Sequence, residues 1–223
     1  IIDQACDNLE KKSPDITLID RHHIPLASLV SDAAGNHLIN KLAQFEINFQ
    51  GNCQNVPEAD IYLNATGGRP QSWLNVLQNQ NGYVVVDQFM RTNQHNIWAA
   101  GDCVLVPDKR TNQLVPSTLW PDAILQGAVA GQAAAGNPNK TYSGVIPICS
   151  SSFAGVRFAV VSHKPLAGLY DLKLQVMQND DDYLELYTHN DRLLAYTLLG
   201  RCSQAAVLKR LILTGESVQE LNL

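Results

Sequence analysis

The chain has 223 residues, of which 45% are hydrophobic and 17% charged, the composition and length of a globular protein with one large or two small domains. A formal net charge of -5 leaves no basic surface for a phosphate backbone, so we expect no nucleic acid partner. No stretch reaches the roughly 20 apolar residues of a membrane span, and no signal peptide is evident. The 5 cysteines fit no disulfide or zinc pattern, which favours a cytoplasmic protein with reduced, mostly buried thiols and no metal site.

The first part of the chain predicts alternating helices and strands. Residues 1–12 have helical periodicity, and Pro14 then forbids continuation. The apolar run Ile16–Ile19 indicates a buried strand, residues 32–44 a second helix, and residues 45–49 another strand. This order is typical of an α/β layer. Because such a layer is entered here through a helix, we expect the chain to be the later portion of a longer protein.

The middle of the chain predicts further buried strands that end at sharp turns. The strands are expected at residues 61–66, 83–87 and 97–100. The first runs into Gly67-Gly68 and the third into Gly101-Asp102. A helix with Pro121 in its first turn should then continue to about Ala135.

The pattern changes from residue 144 onwards, where strands precede a single helix. Strands are expected at residues 158–161, 183–187 and 193–199, the last two joined by a turn at Asn190-Asp191. Ser203 is expected to cap a helix that ends at Gly215, with Val207, Leu208, Leu211 and Ile212 on its inner face. This order predicts a separate α+β domain.

The strand end at Gly101-Asp102 is the sharpest candidate for chemistry. Ligands of open α/β sheets bind at the carboxyl ends of the strands, where a glycine permits close approach. A carboxylate at this position accepts hydrogen bonds from the hydroxyl groups of a polyol. An ordinary turn with a solvated aspartate is an equally open interpretation of the residues alone.

Three segments in matching order resemble the FAD-dependent pyridine nucleotide-disulfide oxidoreductase superfamily. Residues 96–103, NIWAAGDC, resemble its second flavin-binding motif, which implies that Gly101 and Asp102 hold the ribityl chain of FAD. Residues 60–70, DIYLNATGGRP, resemble the segment that returns from the NAD domain to the FAD domain and contain Gly67. Residues 118–136, TLWPDAILQGAVAGQAAAG, resemble the helix whose amino end faces the flavin ring.

The resemblance implies cofactor-contacting residues at the start of that helix. Trp120, Pro121 and Asp122 become candidates for contact with the isoalloxazine, although Trp120 is equally suited to core packing. Unpaired N–H groups and partial positive charge at a helix start favour negative charge on a reduced flavin. No general acid or base is implied, since hydride transfer to flavin needs none.

A further resemblance concerns the nucleotide. Residues 16–26, ITLIDRHHIPL, resemble the second strand of the family's NAD domain, whose acidic end residue contacts the adenosine ribose; Asp20 holds that position. A carboxylate favours NADH over NADPH, whereas the neighbouring Arg21, His22 and His23 could accommodate a 2′-phosphate. The nucleotide therefore stays open as NAD(P)H.

The end of the chain resembles the terminal domain of rubredoxin reductases, NADH oxidases and nitrite reductase flavoprotein portions. It lacks the His-Pro pair and the Glu of the disulfide reductases. The expected electron acceptor is therefore a redox protein, rubredoxin-like or another metalloprotein, or oxygen. Exposed apolar surface would also favour a homodimer.

The resemblance implies a partial two-dinucleotide-domain flavoprotein with a small α+β carboxyl-terminal domain. Residues 1–58 are assigned to the NAD(P)-binding domain, 59–143 to the second part of the FAD-binding domain and 144–223 to the terminal domain. Neither glycine-rich nucleotide loop is present in the chain. Two functions follow: part of an oxidoreductase that passes electrons from NAD(P)H through FAD, or a cofactor-free fragment with a structural, dimerisation or partner-docking role.

Overall fold

The computed structural model describes residues 15–71, 81–153, 155–179, 181–200 and 202–218. The helix expected over residues 1–12 lies outside this range. The strands are β1 (Ile16–Ile19), β2 (Ile47–Gln50), β3 (Val84–Val85), β4 (Val104–Pro107), β5 (Leu114–Pro116), β6 (Ile148–Phe153), β7 (Val156–Val161), β8 (Lys173–Gln178), β9 (Tyr183–His189) and β10 (Arg192–Leu199). The helices are α1 (Asp32–Gln44), α2 (Trp120–Ala134) and α3 (Ala205–Thr214). The contacts divide the chain into a first unit, Ile1–Asp60 with Ile148–Leu223, and a second unit, Ile61–Pro147.

The first unit begins with a β-α-β element. Strands β1 and β2 pair in parallel, with Ile16 opposite Ile47, and α1 connects them. The helix begins where expected because the Ser31 hydroxyl accepts a hydrogen bond from the Ala34 amide at 3.1 Å. Parallel pairing across a helix is the arrangement that the predicted α/β order requires. The strand expected from residue 45 begins at Ile47, because Phe45 closes the helix.

The rest of the first unit is an antiparallel sheet in the order β6-β7-β10-β9-β8. Asn190 and Asp191 both have left-handed φ values, 49° and 60°, and they form the expected turn between β9 and β10. Helix α1 and this sheet share one apolar core that contains Val30, Leu38, Phe158, Val160 and Leu199. The strands expected at residues 158–161, 183–187 and 193–199 are therefore confirmed.

The last helix differs from its prediction at the start. A short 3-10 turn, Cys202–Gln204, precedes α3, and Gln204 takes the cap position expected for Ser203. Leu208, Leu211 and Ile212 are buried as expected, whereas Val207 is 40% exposed because it lies at the edge of the apolar stripe. Gly215 ends the helix in the left-handed region, at φ 70°.

The second unit combines a small mixed sheet with α2. Strand β3 pairs in parallel with β4, and β4 pairs antiparallel with β5. The buried side chains of Met90, Val104, Val106, Val129 and Tyr142 form its core. Residue 120 begins the helix and Ala134 ends it, close to the expected bounds.

A buried ion pair stabilises the connection between β4 and β5. The carboxylate of Asp108 is fully buried and accepts from the Arg110 guanidinium at 2.7 Å and 3.1 Å. The Arg110 amide donates to the same carboxylate at 2.9 Å. Two parallel bonds of this kind fix both position and orientation of the two side chains.

Two strand predictions in the second unit are wrong. Residues 61–66 form no strand, because they pair with none of the strands in the described sheets, and Ile61, Tyr62 and Leu63 are 78%, 57% and 64% exposed. Residues 97–100 contribute only one bridge, between Arg91 and Trp98. The Thr92 amide donates to the Ile97 carbonyl and the Ala99 amide to the Met90 carbonyl, so residues 97–100 pair only with the adjacent segment of a local hairpin and with no strand of the sheet.

Three general expectations concern membrane spans, metal sites and cysteines. Among the described residues, no helix is both long and apolar enough to cross a bilayer. The same residues contain no cluster of three or more side chains suited to a metal ion. Cys53, Cys103 and Cys149 are free thiols, but they are half-buried rather than buried.

Candidate functional site

The turn at Gly101-Asp102 lies directly before β4 in the second unit. The Gly101 carbonyl accepts from the Val104 amide at 3.1 Å, which closes the turn. Gly101 has φ 85°, a left-handed conformation that glycine adopts without strain. A Cβ at Gly101 would meet only the Ala123 Cβ, at 3.8 Å, so the conformation rather than crowding requires a glycine here.

This turn is attached to α2 by a side chain that sequence analysis missed. The Gly101 amide donates to the Gln126 side-chain oxygen at 2.8 Å. The Gln126 side-chain nitrogen donates to the Ser117 hydroxyl at 2.8 Å. Gln126 is fully buried, so both ends of its amide are satisfied inside the protein. Its position three residues before the buried Val129 on α2 was the available signal.

The amino end of α2 is open to solvent. Its cap residue, Leu119, has no polar side chain to bond the free N–H groups, and Trp120 is 80% exposed. Asp122 is half-buried, and its carboxylate accepts from the Tyr142 hydroxyl at 2.6 Å. Burial and this bond to a carboxylate raise the pKa of Tyr142 to about 12. Tyr142 therefore keeps its proton and holds Asp122 in place.

The structure brings some of the predicted site residues together and not others. Gly101 lies within reach of Ala123 and Gln126, so the Asp102 turn is beside the first two turns of α2, where Pro121 is exposed. Gly67 is also exposed, with φ 87°, but no contact described for it joins it to this turn. The predicted role of Gly67 thus has no geometric support of its own.

Asp20 lies in the first unit, at the carboxyl end of β1. One of its carboxylate oxygens accepts from the His22 amide and contacts the His22 ring nitrogen Nδ1, both at 2.9 Å. The adjacent backbone is tightly packed, because a Cβ at Gly51 would approach the carbonyl oxygens of His22 and His23 to 2.8 Å. Asp20 therefore occupies a well-defined strand end and is partly exposed.

The second unit fits the flavin contacts that the resemblance implies. Asp102 is exposed and makes no hydrogen bond within the described part of the chain, so hydroxyl groups of a polyol can reach it. The open start of α2 offers N–H groups and partial positive charge beside the same turn. An exposed indole at Trp120 can pack on a planar ring.

The chain is similar to known proteins in both sequence and fold. Residues 23–127 match the sequence model of the family described as pyridine nucleotide-disulphide oxidoreductase. A curated relative, the NADH-dependent phenylglyoxylate dehydrogenase subunit epsilon of Aromatoleum evansii, is 38% identical over 102 residues, which cover 44% of this chain and 24% of the relative.

Several solved structures share the fold. An NAD-dependent persulfide reductase from A. fulgidus superposes with a TM-score of 0.82 at 20% identity, over 94% of this chain and 46% of the other. An FAD-dependent pyridine nucleotide-disulphide oxidoreductase from Desulfovibrio vulgaris gives 0.79 at 19% identity, over 98% and 63%. A water-forming NADH oxidase from Lactobacillus brevis, bound to NADH, gives 0.81 at 18% identity, over 95% and 55%.

The predicted fold class, a partial two-dinucleotide-domain flavoprotein fold with a small α+β domain, is confirmed. The predicted resemblance to the pyridine nucleotide-disulphide oxidoreductases is confirmed as well, since residues 23–127 match the sequence model of that family. The chain spans a quarter of the curated relative and about half of the first solved structure.

Proposed function

We propose that this chain supplies part of the flavin site and the terminal domain of an NAD(P)H-dependent flavin oxidoreductase. The observation that carries the proposal is the Gly101-Asp102 turn, which Gln126 joins to α2 at 2.8 Å and which presents an exposed carboxylate. The family match over residues 23–127 supports the same function. The domain assignment, 1–58, 59–143 and 144–223, is part of this proposal.

The protein's own groups would bind and orient the cofactor. Asp102 would accept hydrogen bonds from the ribityl hydroxyls, and the left-handed Gly101 would let the backbone turn away beneath them. The start of α2, with Trp120 and Pro121, would lie by the ring and favour negative charge there. FAD, when bound, supplies the chemistry, since it accepts a hydride from NAD(P)H and passes the electrons on singly or in pairs.

We further propose that Asp20 contacts the adenosine ribose and favours NADH over NADPH. Its second carboxylate oxygen makes no bond within the described part of the chain, and that oxygen can accept from a ribose 2′-hydroxyl. A 2′-phosphate would be repelled by the same charge. An Asp20→Asn variant should therefore lose discrimination between the two nucleotides in a binding titration, and unchanged discrimination would remove Asp20 from this role.

The proposed electron acceptor is a redox protein, rubredoxin-like or another metalloprotein, or oxygen. The similar fold of the water-forming NADH oxidase supports the oxygen alternative. A cytoplasmic location is proposed on the basis of the free thiols of Cys53, Cys103 and Cys149. We also propose that the protein forms a homodimer through its terminal domain, residues 144–223.

The experiment titrates FAD into the purified protein and follows the visible flavin band and flavin fluorescence. Wild type should bind, and Asp102→Ala should weaken binding by about tenfold or more, the effect of one or two hydrogen bonds to a charged group. Asp102→Asn, which keeps one acceptor oxygen, should fall between them. Asp15→Ala removes an exposed carboxylate from the first unit and serves as the control, with wild-type affinity expected.

Each outcome decides between the two functions. Binding that depends on Asp102 supports the flavin site. Equal affinity of Asp102→Ala and wild type would remove the carboxylate from the site. A protein that binds no FAD would contradict the flavin proposal for this chain and favour the cofactor-free structural or docking role.

A further inference from the structure

We infer that Gln126 is a positioning residue, which sets the Asp102 turn against the start of α2 and thereby pre-forms the flavin contact. The inference rests on the proposed function and goes beyond it, because Gln126 itself touches no ligand: it is fully buried. Its two side-chain ends contact two different segments, the turn before β4 and the residue Ser117 before α2.

The geometry explains why a polar side chain is retained in this buried place. Gly101 precedes the paired residues of β4, so its amide has no partner in that ladder and needs another acceptor. The Gln126 oxygen provides that acceptor at 2.8 Å, and the Ser117 hydroxyl fixes the orientation of the amide by accepting from its nitrogen at 2.8 Å. An apolar side chain at this position would fill the space but leave the Gly101 amide without a partner.

Pre-organisation follows from this attachment. The bond from the Val104 amide to the Gly101 carbonyl closes the turn, and the bond from the Gly101 amide to Gln126 joins it to α2, so its distance from the helix start is fixed before any ligand arrives. A ligand that needs both the Asp102 carboxylate and the start of α2 then loses less conformational freedom on binding. Since the Gly101 amide is already bonded, the turn recognises its ligand through Asp102 rather than through that amide.

A purely structural role predicts a different result, which the choice of variants separates. Gln126→Met keeps the length of the side chain and removes both polar ends. Val129→Ala, one helical turn further along α2, removes buried volume from the same core but leaves both hydrogen bonds of Gln126 in place. Both variants lose stability, but only the first releases the turn. Ser117→Ala is the milder variant, because it removes one bond of Gln126 and keeps the bond to Gly101.

The first measurement is hydrogen exchange of the Gly101 amide in the ligand-free protein, by NMR. Exchange should accelerate about five- to tenfold in Gln126→Met, the ratio expected for one lost hydrogen bond of ordinary net strength. Ser117→Ala should give a smaller acceleration, and Val129→Ala should match wild type under native conditions. Unchanged exchange in both Gln126→Met and Ser117→Ala would overturn the attachment, whether or not FAD binds.

The second measurement is FAD affinity of the same variants. We expect Gln126→Met to bind about tenfold more weakly and Val129→Ala to bind as wild type does. Equal affinity of Gln126→Met and wild type would refute the positioning role while leaving the flavin proposal intact. Failure of wild type to bind FAD would overturn both, and the exchange data would then still show whether the turn is attached. Should Gln126→Met not fold, Ser117→Ala decides both measurements.

Discussion

The antiparallel sheet of the first unit and the small sheet of the second unit satisfy their backbones in different ways. Strands β9 and β10 have 7 and 8 residues and pair along nearly their whole length. Strands β3, β4 and β5 have only 4 residues or fewer. The stability of the second unit therefore depends on a few buried polar side chains, such as Arg110 and Gln126, whereas that of the first unit depends on a long ladder of backbone hydrogen bonds.

This difference shows in which sheets buried polar side chains contribute to the stability of the fold. A long ladder satisfies backbone groups without help from side chains. In the second unit, the buried Asp108 carboxylate, which pairs with the Arg110 guanidinium, and the buried Gln126 side-chain oxygen accept from the backbone amides of Arg110 and Gly101. Loss of one such side chain should thus affect the second unit more than a comparable change affects the first.

The largest effect is expected for Arg110→Met in the second unit. The change leaves the fully buried Asp108 carboxylate without its cation and should lower the free energy of unfolding by about 3–5 kcal/mol. All 3 tryptophans of the sequence fall within positions 61–147, the range of the second unit, so urea unfolding followed by tryptophan fluorescence reports on it. Adding Asp108→Asn should restore part of the loss, and a single variant as stable as wild type would contradict the comparison.

A smaller effect is expected for Glu185→Leu in the first unit. The buried Glu185 carboxylate accepts from the hydroxyls of Ser31, Tyr183 and Tyr187 at 2.5, 2.7 and 2.9 Å. Burial and this carboxylate raise the pKa of both tyrosines. The leucine leaves three hydroxyls without their acceptor. We expect the free energy of unfolding to decrease by about 2–3 kcal/mol, as measured by near-ultraviolet circular dichroism in urea.

The matched control for that experiment is Glu185→Gln, which keeps one acceptor oxygen and should cost less. If the leucine variant is the more stable of the two, the hydroxyl network contributes nothing to the first unit. A loss larger than that of Arg110→Met would reverse the comparison between the two units.

The smallest effect is a pH dependence of the first unit. Burial lowers the pKa of His163, with Lys164 acting in the same direction and Glu185 opposing it, and the ring stacks on Tyr187 with centroids 4.3 Å apart. Burial also lowers the pKa of His37, where Lys41 adds to the effect and Asp182 opposes it. The unfolded chain therefore binds protons more readily than the folded one near the ordinary histidine pKa of about 6.5.

The first unit should lose stability as the pH falls. The two histidines contribute their full stabilisation above that ordinary pKa. Their contribution decreases as the pH falls below it, because the folded protein must keep both rings neutral while the unfolded chain can protonate them. The urea midpoint of the first unit should decrease on acidification from about pH 8 to about pH 5. A His163→Phe variant keeps a ring to stack on Tyr187 and should show a weaker decrease; an identical slope would exclude His163 as a cause.

Much of the fold was predictable because its signals are local. The helical periodicity of Leu38, Ile39 and Leu42 located α1, and Asn190-Asp191 located the hairpin turn. The exposed segment 61–66 was not predictable as such, since its apolar residues have the composition of a buried strand. Whether such a run is buried depends on neighbours that the local sequence does not contain.

In the candidate site, too, some residues could be predicted from the local sequence and others could not. The glycine and carboxylate at residues 101 and 102 follow a recognisable motif, so sequence analysis found them. Gln126 and the Asp122–Tyr142 bond involve partners 25 and 20 residues apart, and a glutamine in a helix is ordinarily expected on the solvated face. Only the three-dimensional arrangement identifies these side chains as part of the site.

The two-residue turn at Asn190-Asp191 has a consequence for any attempt to insert a tag or a sensor into this protein. It fixes which residues of β9 and β10 face each other, including Glu185 opposite Thr197. A register slip of a single residue reverses the face on which every side chain of a strand lies. An insertion at this hairpin that does not preserve the pairing would therefore turn the buried Glu185 carboxylate away from the Ser31 hydroxyl that donates to it, so an engineer should choose another loop.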